Sequence, residues 1–231
     1  MAMIYACEKD TKGQNRSENA SALVELRSDT LECRPDLGPG CVTDTIINDT
    51  IPTFLGCDAI ASYYVTACYN NSNPGQATSI TVWGVDLEFS SNCGTLVDTI
   101  IYFVTHNNQS QAAFFLRRFN QLATQNIEAK VLATYLDDPE LYQCDKNSFV
   151  DLEFFSTKCY NFCVDLKNQV PCGFGCCKRA TGYCFDGNDL KVSYTNISPA
   201  SPCIPAPNIC ELGTVCLGSC EILEPVVLDD K

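Results

Sequence analysis

The chain contains a single histidine, His106, and lacks the long apolar run of a membrane-spanning helix. Such a span needs about 20 consecutive apolar residues, whereas the longest apolar stretches here, such as 97–104, have the length of a strand. A Cys–His pair or a Ser–His–Asp triad would have to use His106, and no G-x-S-x-G motif accompanies it. We interpret His106 as a surface or helix-capping residue, and the sequence assigns no catalytic residue.

Basic residues are also scarce: 15 Lys and Arg stand against 28 Asp and Glu, which gives a formal net charge of −13. A chain this acidic repels phosphate backbones and anionic lipids, so nucleic acid is excluded as a partner. The carboxylates are spread along the chain, as on a solvated surface. A secreted hydrolase using paired carboxylates stays open as an alternative, with candidate clusters at Asp86 and Glu88, at Asp137, Asp138 and Glu140, and at Asp151 and Glu153.

Cysteine is abundant, with 17 residues. Thiols in this number indicate an oxidising, extracytoplasmic space, where they form a disulfide framework. A four-thiolate zinc site at Cys172, Cys176, Cys177 and Cys184 is the alternative, but its C-x3-CC-x6-C spacing is not that of zinc knuckles, and we predict neither metal nor cofactor. The predicted disulfide framework comprises Cys33, Cys41, Cys57, Cys68, Cys93, Cys144, Cys159, Cys163, Cys172, Cys176, Cys177, Cys184, Cys203, Cys210, Cys216 and Cys220.

The remaining cysteine, Cys7, stands alone near the start of the sequence, where Ile-Tyr-Ala-Cys is followed by Glu-Lys-Asp. This segment resembles the end of a lipoprotein signal in bacterial surface lipoproteins of the Bacteroidetes type. Ile4 matches the position three before the cysteine, Ala6 the position one before it, and Cys7 the modified residue. The resemblance implies a lipid anchor on Cys7 and display at the cell surface. The alternative is that Cys7 is an unpaired or interchain thiol.

Hydropathy patterning predicts an α+β, β-rich fold: an antiparallel sheet with one covering helix, followed by a small disulfide-rich module. Residues 1–20 are polar and form a flexible N-terminal tether. Residues 21–143 form a β-rich domain whose helix lies near 110–124, where apolar residues recur at helical spacing. Strands are predicted at 21–32, 43–51, 59–69, 78–89, 97–105, 127–136 and 148–155.

Residues 144–231 form a cysteine-rich, disulfide-stapled module, because apolar periodicity fades there while cysteine and proline become frequent. Its segment 171–193 resembles cysteine-rich parts of uncharacterised secreted bacterial proteins, a likeness that implies no activity. Within it, the Asp-Gly of residues 185–189 predicts a tight hairpin turn.

These features predict a non-enzymatic extracellular or cell-surface protein of structural or adhesive type. Self-assembly into an envelope or filament subunit would use the edges of the open sheet. Tyr63, Tyr64 and Tyr69 are interpreted as sheet-packing residues, with an exposed adhesive or carbohydrate-binding face as the alternative. An accessory lipoprotein of an outer-membrane complex is the alternative, and it would show one hydrophobic interface. Partners are then other proteins or further copies of the chain, and the membrane is reached only through Cys7.

Overall fold

A six-stranded sheet organises the part of the chain that the structure describes. In this computed structural model that part comprises residues 35, 38, 40–70, 73–136, 138–205 and 210–224, all within the unit Pro35–Lys231. The strands lie side by side in chain order. Every neighbouring pair is antiparallel except β3 and β4, which are parallel. The strands are β1 Cys41–Pro52, β2 Asp58–Asn70, β3 Asn73–Phe89, β4 Val150–Cys163, β5 Asn168–Asp186 and β6 Asp189–Pro205.

Two helices join the parallel strands β3 and β4: α1 Gly94–Thr105 and α2 Gln109–Tyr135. Parallel neighbours need a crossover of a dozen residues or more, whereas antiparallel neighbours need only a turn. Asn108 starts α2 because its side chain accepts a hydrogen bond from the backbone N–H of Gln111 (3.3 Å). The helical crossover therefore lies between two antiparallel three-stranded halves of one sheet.

The hydrophobic core lies between these helices and one face of the sheet. Alternate residues of β2, such as Ala61 and Val65, are almost completely buried and belong to the same core cluster as Phe119 and Ile127 of α2. Buried residues recur at every second position along this part of β2 and at every third or fourth position along α2, which are the periods of the two elements. The opposite face of the sheet carries the intervening side chains.

An ion pair is buried in this core between α2 and β5. Glu128 and Arg179 are 6% and 4% exposed, and an Arg179 Nη2 donates a hydrogen bond to a Glu128 carboxylate oxygen. The Tyr183 hydroxyl donates to the other oxygen at 2.6 Å. A further hydrogen bond, from Arg179 to the backbone carbonyl of Leu223 (3.1 Å), reaches the short helix α3, Ser219–Leu223. The pair thus connects the crossover helix, the sheet and the C-terminal segment.

The strand-rich, antiparallel-dominated fold predicted from the sequence is confirmed. Strands lie at four of the predicted places, 43–51, 59–69, 78–89 and 148–155. The hairpin turn predicted at 185–189 is present between β5 and β6, with Gly187 in the left-handed region at φ 63°. The predicted strand 21–32 lies outside the described residues.

Two predicted strands are wrong because both segments are helical. Residues 97–105 fall within α1, and residues 127–135 continue α2, which the sequence predicted to end near residue 124; Leu136 is the C-cap of α2. Val97, Ile100 and Val104 are all buried, so their spacing of three and four fits one helical face. The β-branched residues of 97–105 favoured a strand locally, but packing against the core decided the outcome. The sheet is consequently covered by two helices.

The predicted module 144–231 contributes β4, β5 and β6 to the same sheet as β1–β3. The parallel pairing of Ser79–Val82 with Asp151–Phe154 joins the two predicted segments. Beyond β6, the chain returns across β4, where the backbones of Leu217 and Tyr160 exchange hydrogen bonds at 2.7 and 3.2 Å. The cysteine-rich region is thus built onto the sheet.

Candidate functional site

Disulfides account for the predicted cysteine framework throughout the described residues. Cys176 is also disulfide-bonded, and Cys33 and Cys7 lie outside the described residues. Cys172, Cys177 and Cys184 likewise carry bonds, so none of the four candidate zinc ligands is left as a thiolate. The seven described bonds are Cys41–Cys68, Cys57–Cys93, Cys144–Cys184, Cys159–Cys203, Cys163–Cys210, Cys172–Cys216 and Cys177–Cys220.

His106 is an exposed capping residue at the C-terminal end of α1, as predicted. Its Nδ1 lies 2.8 Å from the backbone carbonyl of Tyr102, and its ring stacks on the Tyr102 ring with centroids 4.2 Å apart. No cysteine is hydrogen-bonded to it among the described residues. The imidazole therefore caps the end of α1 and stacks on an aromatic ring.

Three carboxylates of the predicted pairs, Asp86, Glu153 and Asp151, are engaged in separate local contacts, whereas Glu88 is exposed. Asp86 binds Lys158 (3.1 Å) and accepts a hydrogen bond from the Tyr160 hydroxyl (3.2 Å). Glu153 forms an ion pair with Lys178, and Asp151 accepts a hydrogen bond from Tyr194. Asp86 and Glu153 thus bind lysines of adjacent strands, a common use of charged cross-strand pairs, whereas the Asp151–Tyr194 contact joins β4 to β6 across β5.

Of the acidic turn at 137–140, Asp137 lies outside the described residues, and Asp138 accepts a hydrogen bond from the backbone N–H of Glu140 (3.0 Å). Asp138 therefore caps a short 3-10 turn that starts at Pro139.

The three candidate tyrosines do not share one face. Tyr63 is buried at 4% exposure on the helix side of the sheet. Tyr64 faces the other way, is 38% exposed, and stacks on Trp83 of β3 at 4.4 Å between centroids. Tyr69 is half-buried. Tyr63 and Tyr64 pack on opposite sides of the sheet because neighbouring strand residues point to opposite sides, so the alternative of one adhesive face formed by all three tyrosines is not met.

A cluster of aromatic side chains lies where the turn between α1 and α2 meets the turn between β1 and β2. Phe103 stacks on Phe115 (5.7 Å between ring centroids), and Phe115 contacts the rings of Phe54 (6.1 Å) and Phe114 (5.6 Å). The Tyr102 ring contacts the Phe103 ring (5.4 Å between centroids). Because His106 stacks on Tyr102, the imidazole also belongs to this series of rings. We call this set, together with neighbouring Leu55, the aromatic patch.

The aromatic patch is anchored in the core and open to solvent. Phe54, Phe103 and Phe115 are half-buried and pack against the hydrophobic core. Leu55, Tyr102 and Phe114 are 52%, 56% and 51% exposed. Single exposed apolar residues are ordinary, whereas a contiguous group marks an interaction surface. The patch could not be recognised in the sequence, because its members come from the adjoining ends of α1 and α2 and from the turn between β1 and β2, which only the fold brings together.

A groove lies between β1 and the C-terminal half of α2, with a volume of about 660 Å³. Asp44 and Asp49 of β1, Tyr63 of β2, and Lys130 and Tyr135 of α2 are the polar residues that converge in it. Burial, reinforced by hydrogen bonds to Asp49 and Asp44, raises the pKa of the Tyr63 and Tyr135 phenols well above the usual range. Both phenols are therefore protonated donors. Of these residues, the sequence pattern singles out only Tyr63, and the strand predicted at 127–136 misplaces Lys130 and Tyr135.

The structure thus defines a class: a disulfide-rich, β-rich α+β protein. Its many disulfides indicate an oxidising or extracellular environment. None of the described helices combines the length and apolar character that crossing a membrane requires. Comparison with protein-family models, curated proteins and solved structures finds no match for the chain. Its function must accordingly be inferred from its own surfaces.

Proposed function

We propose that this chain is a non-enzymatic extracellular or cell-surface protein of structural or adhesive type, which docks a protein partner through the aromatic patch. The observation that carries the proposal is the series of six contacting rings, of which Tyr102 and Phe114 are more than half exposed. Exposed aromatic side chains supply large contact areas at low entropic cost, and they dominate the energetics of interfaces.

The charge around the patch favours a protein partner over an anionic lipid surface. The chain as a whole carries a net charge of −13, which repels anionic headgroups. Arg118 follows Phe114 by four positions on α2, which places both on one side of the helix. Arg118 has no ion-pair partner within the described residues. Aromatic residues with a free arginine are the composition that protein interfaces favour.

One apolar interface of this kind also suits an accessory protein of a larger envelope complex, anchored through Cys7 if that residue is lipidated. In such a complex the patch would contact a different protein, whereas in a self-assembled layer it would contact another copy. Both versions share the docking surface and differ in the identity of the partner.

Edge pairing into a filament is a second candidate function, favoured by residues 189–198 of β6, most of which are exposed on an outer strand of the sheet. Other edge segments are protected: β1 has a bulge near Asn48, and β6 ends in a proline-rich stretch that lacks several donors. If edge pairing drives assembly, Val192→Lys will shift the sedimentation velocity of the native protein towards the monomer. If the wild-type protein sediments as an assembly and the Val192→Lys variant sediments identically, edge pairing through β6 is ruled out.

Site-specific photo-crosslinking in cells that produce the chain tests the docking proposal. A benzophenone amino acid replaces Phe114, and the matched control carries the same replacement at Phe149. Phe149 is 44% exposed, immediately precedes β4, and packs on Tyr194 of β6 rather than on the patch. We expect one discrete protein adduct from position 114 and none of that mass from position 149. Its mass identifies the partner as another copy or a different protein.

A variant of the patch supplies the second test. Leu55→Ser combined with Tyr102→Ser should abolish the position-114 adduct while the melting temperature changes little, because both side chains are more than half exposed. The proposal is overturned if position 114 yields only lipid adducts, yields no adduct, or yields the same adducts as position 149.

A further inference from the structure

We infer that the groove between β1 and α2 is a binding site for a small organic cation, held by the carboxylate of Asp44. This site is separate from the aromatic patch and does not depend on the docking proposal. The groove volume of about 660 Å³ falls within the range of roughly 300–1,000 Å³ that is usual for small-molecule sites. Apolar walls are supplied by Ile46, Val65 and Val131.

The two carboxylates of the groove differ in how far the protein already satisfies them. Asp49 is occupied at both oxygens, since Lys130 Nζ lies 2.7 Å from Oδ1 and the Tyr63 hydroxyl donates to Oδ2 at 3.0 Å. Lys130 is itself committed, because its ammonium also donates to the carbonyl of Thr50 (3.1 Å). Asp49 and Lys130 therefore neutralise each other.

Asp44 has no such counter-charge. Its side chain accepts one hydrogen bond, from the Tyr135 hydroxyl (2.5 Å), and it has no ion-pair partner within the described residues. The groove consequently keeps one net negative charge, located at Asp44. A carboxylate has four lone-pair positions, so acceptor capacity remains for a ligand.

The surrounding groups select for a cation. Each tyrosine hydroxyl donates its proton to a carboxylate, Tyr63 to Asp49 and Tyr135 to Asp44, so neither proton is available to an anionic ligand. The two phenol rings and the aliphatic walls suit the methylene or methyl groups that surround an ammonium or guanidinium. A cation beside aromatic rings and a carboxylate gains from both contacts. A neutral ligand of the same shape is not stabilised electrostatically by either the rings or the carboxylate, and should bind more weakly.

Calorimetric titration of the native, oxidised chain at about 0.15 M salt tests this inference, because that ionic strength screens non-specific attraction to the acidic surface. The probes are butylammonium and tetramethylammonium, with neutral butanol and anionic butyrate as matched comparisons. We expect saturable binding of at least one ammonium probe and none of butanol or butyrate. Equal binding of butanol, or no ammonium binding, overturns the inference.

Two variants locate the site. Asp44→Asn should weaken ammonium binding roughly tenfold to a hundredfold, as expected for the loss of one charged contact. The matched control is Asp98→Asn, which removes an exposed carboxylate on α1 outside the groove and should leave binding unchanged. Equal loss in both variants, or full binding by a folded Asp44→Asn protein, overturns the assignment. Calcium binding that depends on Asp44, in the absence of ammonium binding, likewise contradicts an organic cation as the ligand.

Discussion

Replacing Arg179 by methionine should be one of the most destabilising single changes in the chain. Arg179 and Glu128 form an ion pair whose side chains are 5% and 8% exposed, and the guanidinium also lies 5.9 Å from the Phe154 ring centre. Methionine fills much of the space but leaves the Glu128 carboxylate buried without a cation. Removing one partner of a buried pair costs about 3–5 kcal/mol.

For a chain of this length, that loss corresponds to a fall in melting temperature of roughly 6 to 20 °C. Guanidinium unfolding with the disulfides intact measures the free energy, and the slope of the transition shows whether the native state stays compact. Lys191→Met is the matched control, because the Lys191–Asp189 pair is exposed and its side chains are 52% and 80% accessible. We expect no measurable change from the control.

A double variant separates the buried charge from the lost packing. Arg179→Met combined with Glu128→Gln removes both charges, and a glutamine oxygen can still accept the hydrogen bond from Tyr183 (2.6 Å to Glu128). The double variant should therefore recover most of the stability lost in the single variant. If Arg179→Met costs less than about 1 kcal/mol, or the double variant is less stable than the single one, the assignment of a buried, mutually compensating pair is refuted.

Two further outcomes follow from the cysteine framework and the tyrosines. Non-reducing peptide mapping should link the peptide of Cys176, which is disulfide-bonded, to that of Cys33, because the sequence sets Cys7 apart; a link to Cys7 would contradict that assignment. A hydrogen bond to Asp151 raises the pKa of Tyr194 to about 12. In an alkaline titration followed by ultraviolet absorption, we therefore expect this phenol to ionise at a higher pH than a free tyrosine. Since the pKa is higher in the folded state, this contribution to stability is present below pH 10 and is lost as the pH rises towards 12. Asp151→Asn should restore ionisation near pH 10, and an unchanged titration curve would argue against the contact.

Much of the sheet could be predicted because its strands alternate in hydropathy and are separated by turn residues. The helical crossover could be predicted only in part. The first half of α2 is predicted by apolar residues at helical spacing, namely Ala112, Leu116 and Phe119. Residues 127–136, however, also alternate in hydropathy well enough for a strand. Their helical state depends on Ile127 and Val131 packing against the sheet, which is information outside the local segment.

The candidate sites could not be predicted because they are assembled from distant segments. Asp44 and Tyr135 are 91 residues apart in sequence yet share a hydrogen bond. Phe54 reaches Phe115 only because the turn between β1 and β2 lies beside the start of α2. Spacing rules find groups that lie on one helix or strand, and neither site is of that kind. The predicted carboxylate pairs, by contrast, are close in sequence but bind separate partners.

The disulfide framework is the central claim, and alkylation of the unreduced, denatured protein tests it most directly. Iodoacetamide is added in denaturant without a reductant, and the intact mass then counts the free thiols. We predict that no more than one of the 17 cysteines is alkylated, and that reduction makes the remainder reactive. Alkylation of three or more cysteines before reduction, or zinc released on denaturation, would contradict an oxidised, extracytoplasmic protein.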